Sequence, residues 1–186
     1  MSLVEITEAT HNLELDLKYA TSENFTGQPV YRRAACYLHV EAEKCLMIAR
    51  DLAERQGWGL QIFDAFRPSE SQWKLWNHTP DPDFLADPRR GSPHSRGVAV
   101  DLTLIDKASG EALDMGTGFD AFTPLSHHGN PGISAEAEHN RLLLMGLMTT
   151  AGWDFFRNEW WHYQLFDSRD FPVFGDGDLS EPMTAP

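Results

Sequence analysis

Apolar and polar residues follow two patterns along the first third of the chain, one with the period of a strand and one with that of a helix. Residues 13–19, LELDLKY, alternate between apolar and polar and predict a strand. From about Ala34 to Gln56 apolar residues recur every three or four positions, which predicts an amphipathic helix. Residues 60–66, LQIFDAF, predict a buried strand that Arg67-Pro68 ends.

The rest of the chain alternates between long loops and short regular elements. Residues 78–93 contain four prolines and predict a loop, and a strand over about 98–104 follows. After a second loop, Ser134 is the expected N-cap of a helix that runs to about Thr150. WDFF and WWHYQLF then predict a hairpin, and the last dozen residues predict a loose tail.

This order of elements predicts the fold class. Strands and helices mix without a regular βα repeat, which favours an α+β fold over a doubly wound sheet. With 186 residues the chain fits one compact domain. We therefore expect a central, mainly antiparallel sheet with packed helices and an ordered core over about 13–170.

Charge and composition exclude several classes of partner. The formal net charge of −13 repels phosphate backbones and anionic lipids, so neither nucleic acid nor a membrane surface is an expected partner. The first twenty residues lack a basic segment followed by an apolar one, and no apolar run approaches 18 residues. The two cysteines both fall in the predicted 34–56 helix, too far apart for a disulfide. We expect a cytoplasmic protein that acts on a small molecule.

A carboxylate interrupts the apolar strand GVAVDLTL. Asp101 shares its face of the strand with two small residues, Ala99 and Thr103, so that face is either solvated or the floor of a cleft. His94 lies seven residues earlier, in a turn that can bring its side chain back to Asp101. Histidine and aspartate are a ligand pair that zinc accepts, although this spacing is common by chance.

A second histidine heads the aromatic strand in NEWWHYQLF. His162 lies three residues after Glu159, so the two share a site only if Glu159 occupies a loop or a bulge. A packed histidine and a solvated glutamate would explain the same pattern. Together with His94 and Asp101, however, His162 would give three zinc ligands and leave a position for water, as in catalytic zinc sites. Glu159 would then serve as the base for that water.

Five ordered motifs resemble one enzyme family. SPHSRGVAVDLTL fits the pattern S-x-H-x-x-G-x-A-x-D, and EWWH fits a second motif of the zinc-dependent D-alanyl-D-alanine dipeptidases, the VanX-like enzymes. LKYATSENFTG, DAFRP and MGTGFD agree as well, so the resemblance spans roughly residues 13–166. It implies the LAS-type peptidase architecture.

The resemblance also implies a role for each residue of the catalytic centre. His94, Asp101 and His162 match the ligands of one zinc ion per chain, and Glu159 matches the catalytic base. Arg67 matches the group that stabilises the transition state. A guanidinium beside the metal can hydrogen-bond the developing oxyanion, whereas the motif alone would allow a solvated cation in a turn.

Three further matches concern the substrate. Asp120 matches the carboxylate that receives the free ammonium of the dipeptide, although by itself it reads as a polar loop residue. Tyr19 and Ser92 match positions that line the substrate site, and Ser92 is suited to hold the substrate carboxylate. Tyr19 could equally be a packed strand end, and Ser92 an ordinary turn residue.

The implied reaction is hydrolysis of D-Ala-D-Ala to two D-alanines. One alternative is a zinc D,D-carboxypeptidase or endopeptidase acting on peptidoglycan peptides, against which the lack of a signal peptide counts. The other is a non-catalytic zinc-binding module, for which Glu159 and Arg67 would be unnecessary. The short connection over 68–93 leaves selectivity among D,D-dipeptides unpredicted.

Overall fold

The structure, a computed structural model, describes residues 2–186. Its strands are β1 (Leu3–Ile6), β2 (Glu14–Leu15), β3 (Cys36–His39), β4 (Trp58–Asp64), β5 (Ala99–Asp106), β6 (Trp153–Phe155) and β7 (His162–Leu165). Its helices are α1 (Glu8–His11), α2 (Val40–Glu54), α3 (Ser69–His78) and α4 (Ala135–Thr150). Within residues 2–186, no helix has the length and apolar character needed to cross a membrane.

The central sheet has five strands in the order β2-β4-β5-β7-β6. β2 runs parallel to β4, and every other neighbouring pair in this sheet is antiparallel. β1 and β3 form a separate antiparallel pair. The predicted α+β class with a mainly antiparallel central sheet is confirmed.

The two faces of β5 separate the hydrophobic core from the functional site. Val100, Leu102 and Leu104 are fully buried in a core cluster that also contains the apolar residues of α2 and α4. Asp101 and Thr103 occupy the other face and are buried as well. Asp101 lines a cavity, so the carboxylate lies on the floor of a cleft rather than on a solvated face.

The segment from Ser134 to Leu165 follows its predicted pattern closely. The hydroxyl of Ser134 accepts a hydrogen bond from the backbone N–H of Ala137 at 3.0 Å, and α4 continues to Thr150. β6 and β7 then pair as an antiparallel hairpin. These elements are local, so their caps and turns are encoded in adjacent residues.

The helix predicted over 34–56 is a strand followed by a helix. Residues 36–39 form β3, which pairs with β1, and α2 begins only at Val40. Leu38 fits the helical spacing and the strand spacing equally well, and pairing with a strand distant in sequence decides between them. Cys36 therefore lies on a strand and Cys45 on α2, and both are free thiols. The strand predicted over 13–19 is also shorter, since only β2 remains of it.

Ordered structure extends beyond the expected 13–170 core at both ends. β1 precedes it, and the expected loose tail is packed against the body of the protein. The Met183 side chain is fully buried, and its carbonyl accepts a hydrogen bond from the N–H of Arg32 at 2.8 Å. Thr184 forms a bridge with Tyr31. Leu179 and Met183 are the buried apolar side chains of this polar segment, and two such positions are too few to create a periodic pattern in the sequence.

Candidate active site

Antiparallel pairing of β5 with β7 places two of the predicted ligands side by side. Asp101 and His162 are direct cross-strand partners, so their side chains leave the sheet on the same face. His162 Nδ1 lies 3.1 Å from Asp101 Oδ1, and both side chains are buried. The strand register alone brings these residues together, although they are far apart in sequence.

His94 reaches the same point from a 3-10 turn before β5. The turn spans His94–Arg96 and ends at Gly97, which adopts a φ of 69°. A side chain at Gly97 would also collide with Leu3 and with the backbone of His39, so the turn requires glycine. His94 Nε2 lies 3.4 Å from Asp101 Oδ2 and 3.1 Å from His162 Nδ1. One ligand atom from each of the three residues lies within 4.8 Å of the others.

Outer hydrogen bonds orient both imidazole rings. His94 Nδ1 lies 2.7 Å from the carbonyl oxygen of Ala65, and His162 Nε2 lies 3.2 Å from Gln164 Oε1. Both oxygens are acceptors, so these ring nitrogens carry the protons. The nitrogens that face Asp101 then present lone pairs, which is the arrangement of metal-ligating histidines.

The cluster requires positive charge at its centre. Burial opposes ionisation of Asp101, but the positive charge and N–H donors that His94 and His162 offer when protonated outweigh it and hold the pKa of Asp101 well below its usual range. The carboxylate is thus ionised in a buried position beside two nitrogens. A proton on a histidine or a metal cation supplies the compensating charge.

Glu159 lies in the connection between β6 and β7, which is the loop position it needs in order to share a site with His162. Its side chain is buried, and Oε2 lies 3.9 Å from His162 Nδ1. Burial, together with the charges of Asp101 and Asp120, raises the pKa of Glu159 well above its usual range. A carboxyl group with a raised pKa beside a cation site is suited to accept and return a proton.

An irregularity in β4 places Asp64 on the same face as Asp101. Ile62 pairs with Leu102 on the core face, but the register then shifts and Asp64 becomes the partner of Asp101. A bulge of this kind turns a side chain to the opposite face of a sheet. Asp64 is buried, and its Oδ1 accepts a hydrogen bond from the hydroxyl of Tyr31 at 2.7 Å.

Asp64 and Gln72 hold Arg67 beside the cluster. Nε and Nη2 of Arg67 lie 2.9 and 2.8 Å from Asp64 Oδ2, and Nη1 donates to Gln72 Oε1 at 2.9 Å. Nη2 also lies 3.6 Å from Asp101 Oδ2, and the guanidinium stacks 4.9 Å above the ring of Tyr19. Arg67 is therefore a buried, fixed cation rather than a solvated turn residue.

Asp120 lies in the loop after β5 with a backbone strained for a non-glycine residue, at a φ of 58°. The hydroxyl of Tyr19 donates to Oδ1 at 3.2 Å, whereas Oδ2 is buried and has no hydrogen-bond partner among residues 2–186. Burial, followed by the charge of Asp101, raises the pKa of Asp120 to about 8. This carboxyl group lacks a cationic partner within the described chain.

Ser92 precedes His94 and is almost fully buried. Its hydroxyl oxygen accepts a hydrogen bond from the backbone N–H of His94 at 3.2 Å. A serine hydroxyl can accept one bond and still donate another, so its proton is available to a ligand.

One cavity of about 680 Å³ brings all the predicted site residues together. Its lining includes Tyr19, Arg67, Ser92, His94, Asp101, Asp120, Glu159 and His162. Charged groups of both signs thus converge in a single cleft whose walls also carry aromatic side chains. This is the arrangement expected of a catalytic pocket for a small polar ligand.

The sequence profile of one peptidase family matches this chain over residues 1–174. The family is Peptidase_M15, described as D-ala-D-ala dipeptidase. This chain belongs to that family. The match covers every residue that lines the candidate site.

Characterised relatives agree with the family assignment. A D-alanyl-D-alanine dipeptidase of Escherichia coli (strain K12) is 41% identical over 174 residues, which cover 94% of this chain and 90% of the relative. The D-alanyl-D-alanine dipeptidase of Enterococcus faecium is 36% identical, and the match covers 90% of this chain and 96% of the relative. That of Enterococcus faecalis is 32% identical, and the match covers 87% of this chain and 90% of the relative. The predicted family is confirmed, and this member of it is a peptidase.

Sequence reasoning missed four residues that support the site in this family member: Tyr31, Asp64, Gln72 and Gln164. Signals for two of them were present. Asp64 stands three residues before Arg67 in the DAFRP motif, and opposite charges at that spacing can pair. Gln164 follows His162 by two residues, so strand alternation places both side chains on one face. Gln72 gave no signal for the site, because a glutamine on a helix is ordinarily a surface residue.

The paired histidines of the second loop lie outside the cavity. His127 and His128 follow Asp120 in the long loop between β5 and α4. His127 stacks near Phe84, which does line the cavity, with ring centroids 6.0 Å apart. His128 faces a separate pocket and contacts Phe155. Neither side chain therefore lines the cavity that contains His94, Asp101 and His162.

Proposed function

We propose that this protein hydrolyses the dipeptide D-Ala-D-Ala to two D-alanines with one zinc ion held by His94, Asp101 and His162. The curated relatives carry the name of this activity, and the cluster at the floor of the cavity supports it. The observation that carries the proposal is the convergence of two lone-pair nitrogens and an ionised carboxylate directly beside Glu159.

The donor set fits zinc. Two imidazole nitrogens and one carboxylate are ligands that zinc accepts, and three protein ligands leave a position for substrate or water. Both cysteines, Cys36 and Cys45, lie outside the cluster, so the four-thiolate pattern of many structural sites does not apply. Zinc bound there would supply Lewis-acid polarisation of the scissile carbonyl and a lowered pKa for water.

Glu159 is proposed to move the proton. Its carboxylate takes a proton from the attacking water as the new C–O bond forms at the scissile carbonyl carbon. It then gives that proton to the departing amine nitrogen as the C–N bond breaks. Burial raises the pKa of Glu159, which makes its carboxylate a stronger base for the first transfer.

Arg67 is proposed to stabilise the oxyanion. Asp64 and Gln72 fix the guanidinium, and a guanidinium carries five N–H donors, so donors remain beyond these contacts. A preorganised cation that does not reorient during the reaction stabilises developing negative charge effectively.

Asp120 and Ser92 are proposed to hold the two ends of the dipeptide. The unpartnered Oδ2 of Asp120 is suited to a substrate ammonium, which would also stabilise the ionised carboxylate. Tyr19 orients Asp120 through Oδ1. The Ser92 hydroxyl is suited to the terminal carboxylate. An acylated amino terminus would bury Asp120 without a cationic partner, so the site should favour free dipeptides.

The proposed setting is the cytoplasm. Cys36 and Cys45 are free thiols, as is usual in a reducing compartment. The net charge of −13 disfavours nucleic acid and anionic membranes as partners and agrees with a small-molecule substrate.

The test is release of free D-alanine by the zinc-loaded protein from D-Ala-D-Ala, N-acetyl-D-Ala-D-Ala and L-Ala-L-Ala. We expect release from the free D,D-dipeptide alone. Release mainly from the acetylated compound would instead identify a carboxypeptidase and leave Asp120 without its assigned partner. No release from any compound, with zinc bound, would identify a non-catalytic zinc module.

A further inference from the structure

The outer part of the cavity carries arginines that the proposed reaction does not use. Arg89, Arg90 and Arg169 all contribute to its lining. Arg89 is neutralised by Asp87, with Nη2 and Oδ2 2.6 Å apart. Arg90 and Arg169 are exposed, and among residues 2–186 no carboxylate lies within ion-pair distance of either guanidinium. Two cations without an ion-pair partner thus lie at the rim of the cleft, where they can attract a carboxylate.

A third arginine holds these two in place. Arg96 Nη2 donates to the carbonyl of Arg90 at 3.1 Å, while Nη1 contacts the carbonyl of Arg169 at 3.5 Å and donates to that of Phe171. Gly91 makes room for this guanidinium, because a Cβ there would lie 2.8 Å from Arg96 Nη2. One side chain therefore ties together the two loops that carry Arg90 and Arg169.

The arginine pair lies near the position assigned to the carboxyl end of the substrate. Arg90 stands two residues before Ser92, whereas the Asp120 loop supplies the position for the amino end. The cavity of about 680 Å³ falls in the range of roughly 300–1,000 Å³ that accommodates drug-sized ligands. It has room for a side chain larger than methyl on the C-terminal residue of a dipeptide.

We propose that Arg90 and Arg169 form a carboxylate subsite for an acidic side chain on the C-terminal residue of the substrate. The substrate class then includes dipeptides such as D-Ala-D-Asp in addition to D-Ala-D-Ala. Guanidinium groups bind carboxylates through paired N–H donors, which gives both attraction and orientation. The inference rests on the proposed function, since that function assigns the terminal carboxylate to Ser92.

Binding of a matched pair of dipeptides tests this subsite. D-Ala-D-Asp and D-Ala-D-Asn have nearly the same size and the same terminal carboxylate, and they differ in side-chain charge. Their Kd values would be measured by calorimetry on zinc-loaded Glu159→Gln protein, in which hydrolysis should be about 10²–10⁴ times slower. We expect D-Ala-D-Asp to bind about three- to tenfold more tightly, as expected for two partly exposed ion pairs. The additional Arg90→Gln and Arg169→Gln substitutions should abolish the preference.

A control variant and three contrary outcomes complete the test of the subsite. Arg55→Gln removes an exposed arginine at the end of α2 and should leave the preference intact. Equal binding of the two dipeptides before any arginine is replaced, or no binding of either, would overturn the subsite. Equal weakening of both dipeptides by the double substitution would assign the arginines to the terminal carboxylate and overturn it too. Turnover of D-Ala-D-Ala by protein with intact Glu159 tests the proposed function separately.

Discussion

His94 Nε2 lies 3.1 Å from His162 Nδ1, and the other nitrogen of each ring faces an oxygen acceptor. In the neutral rings, the lone pairs of these two nitrogens therefore face one another beside the Asp101 carboxylate. This arrangement is unfavourable without a cation between the nitrogens and favourable with one. The hydrogen-bond acceptors that orient the two rings are therefore as important for the proposed metal site as the three candidate ligands.

Gln164→Ala is expected to lower zinc affinity about 10- to 100-fold, the usual effect of removing an outer hydrogen bond from a ligating histidine. The ring of His162 loses the partner that fixes its tautomer. Competition with a chromophoric chelator measures the affinity. Gln56→Ala, at an exposed position after α2, is the matched control and should bind zinc normally. Normal affinity in Gln164→Ala would show that the ring is oriented by other contacts.

Glu159→Gln is expected to reduce kcat for D-Ala-D-Ala by about 10²–10⁴, the contribution of a positioned general base. Zinc content should remain one ion per chain, because Glu159 is not among the three ligands. Metal analysis and D-alanine release together check this. Glu136→Gln, at an exposed position in the first turn of α4, is the control. Substantial turnover by Glu159→Gln would remove the glutamate from the mechanism.

Arg67→Lys is expected to lower kcat about 10²-fold, in line with the loss of an oxyanion donor. Lysine keeps the charge but cannot contact Asp64 and Gln72 and still present an N–H to the cavity. Steady-state kinetics, with circular dichroism as a check on folding, provides the measurement. A change in KM alone would mean that Arg67 only binds the substrate.

Asp120→Asn is expected to change how the stability of the metal-free protein depends on pH. The pKa of Asp120 is about 8 when folded but roughly 3.9 when unfolded. The folded state therefore binds the proton more tightly, and stability is lost as pH rises from about 4 through 8. Asparagine does not titrate, so the variant should gain Tm relative to the parent between pH 5 and pH 8.5.

Calorimetry of the two metal-free proteins at both pH values gives the difference directly. The pKa of about 8 implies a relative gain of roughly 4 kcal/mol over this interval, and each kcal/mol corresponds to about 2–4 °C in a chain of this size. Because both proteins contain the same other titrating groups, the contributions of those groups to Tm cancel in the difference between the two proteins. An unchanged difference in Tm between pH 5 and pH 8.5 would show that Asp120 titrates normally in the folded state.

Local signals in the sequence predicted much of this protein. The Ser134 cap, the α4 helix and the terminal hairpin depend on neighbouring residues and are confirmed. The motifs around His94, Asp101 and His162 identified the family, and the structure brings these residues to one point. Their identity could be found in sequence because each must be a particular chemical type at a particular position on its strand or turn.

Pairing between distant segments decided the rest. β3 is a strand because β1 lies beside it, and Met183 is buried because the final segment returns to Arg32. The β4 bulge that turns Asp64 toward Arg67 depends on the register with β5. The sequence by itself identified the candidate residues for the chemistry. Only the tertiary structure decided which residues orient these candidates through hydrogen bonds and packing. Cross-strand register and loop contacts join positions that are far apart in sequence and follow no regular spacing.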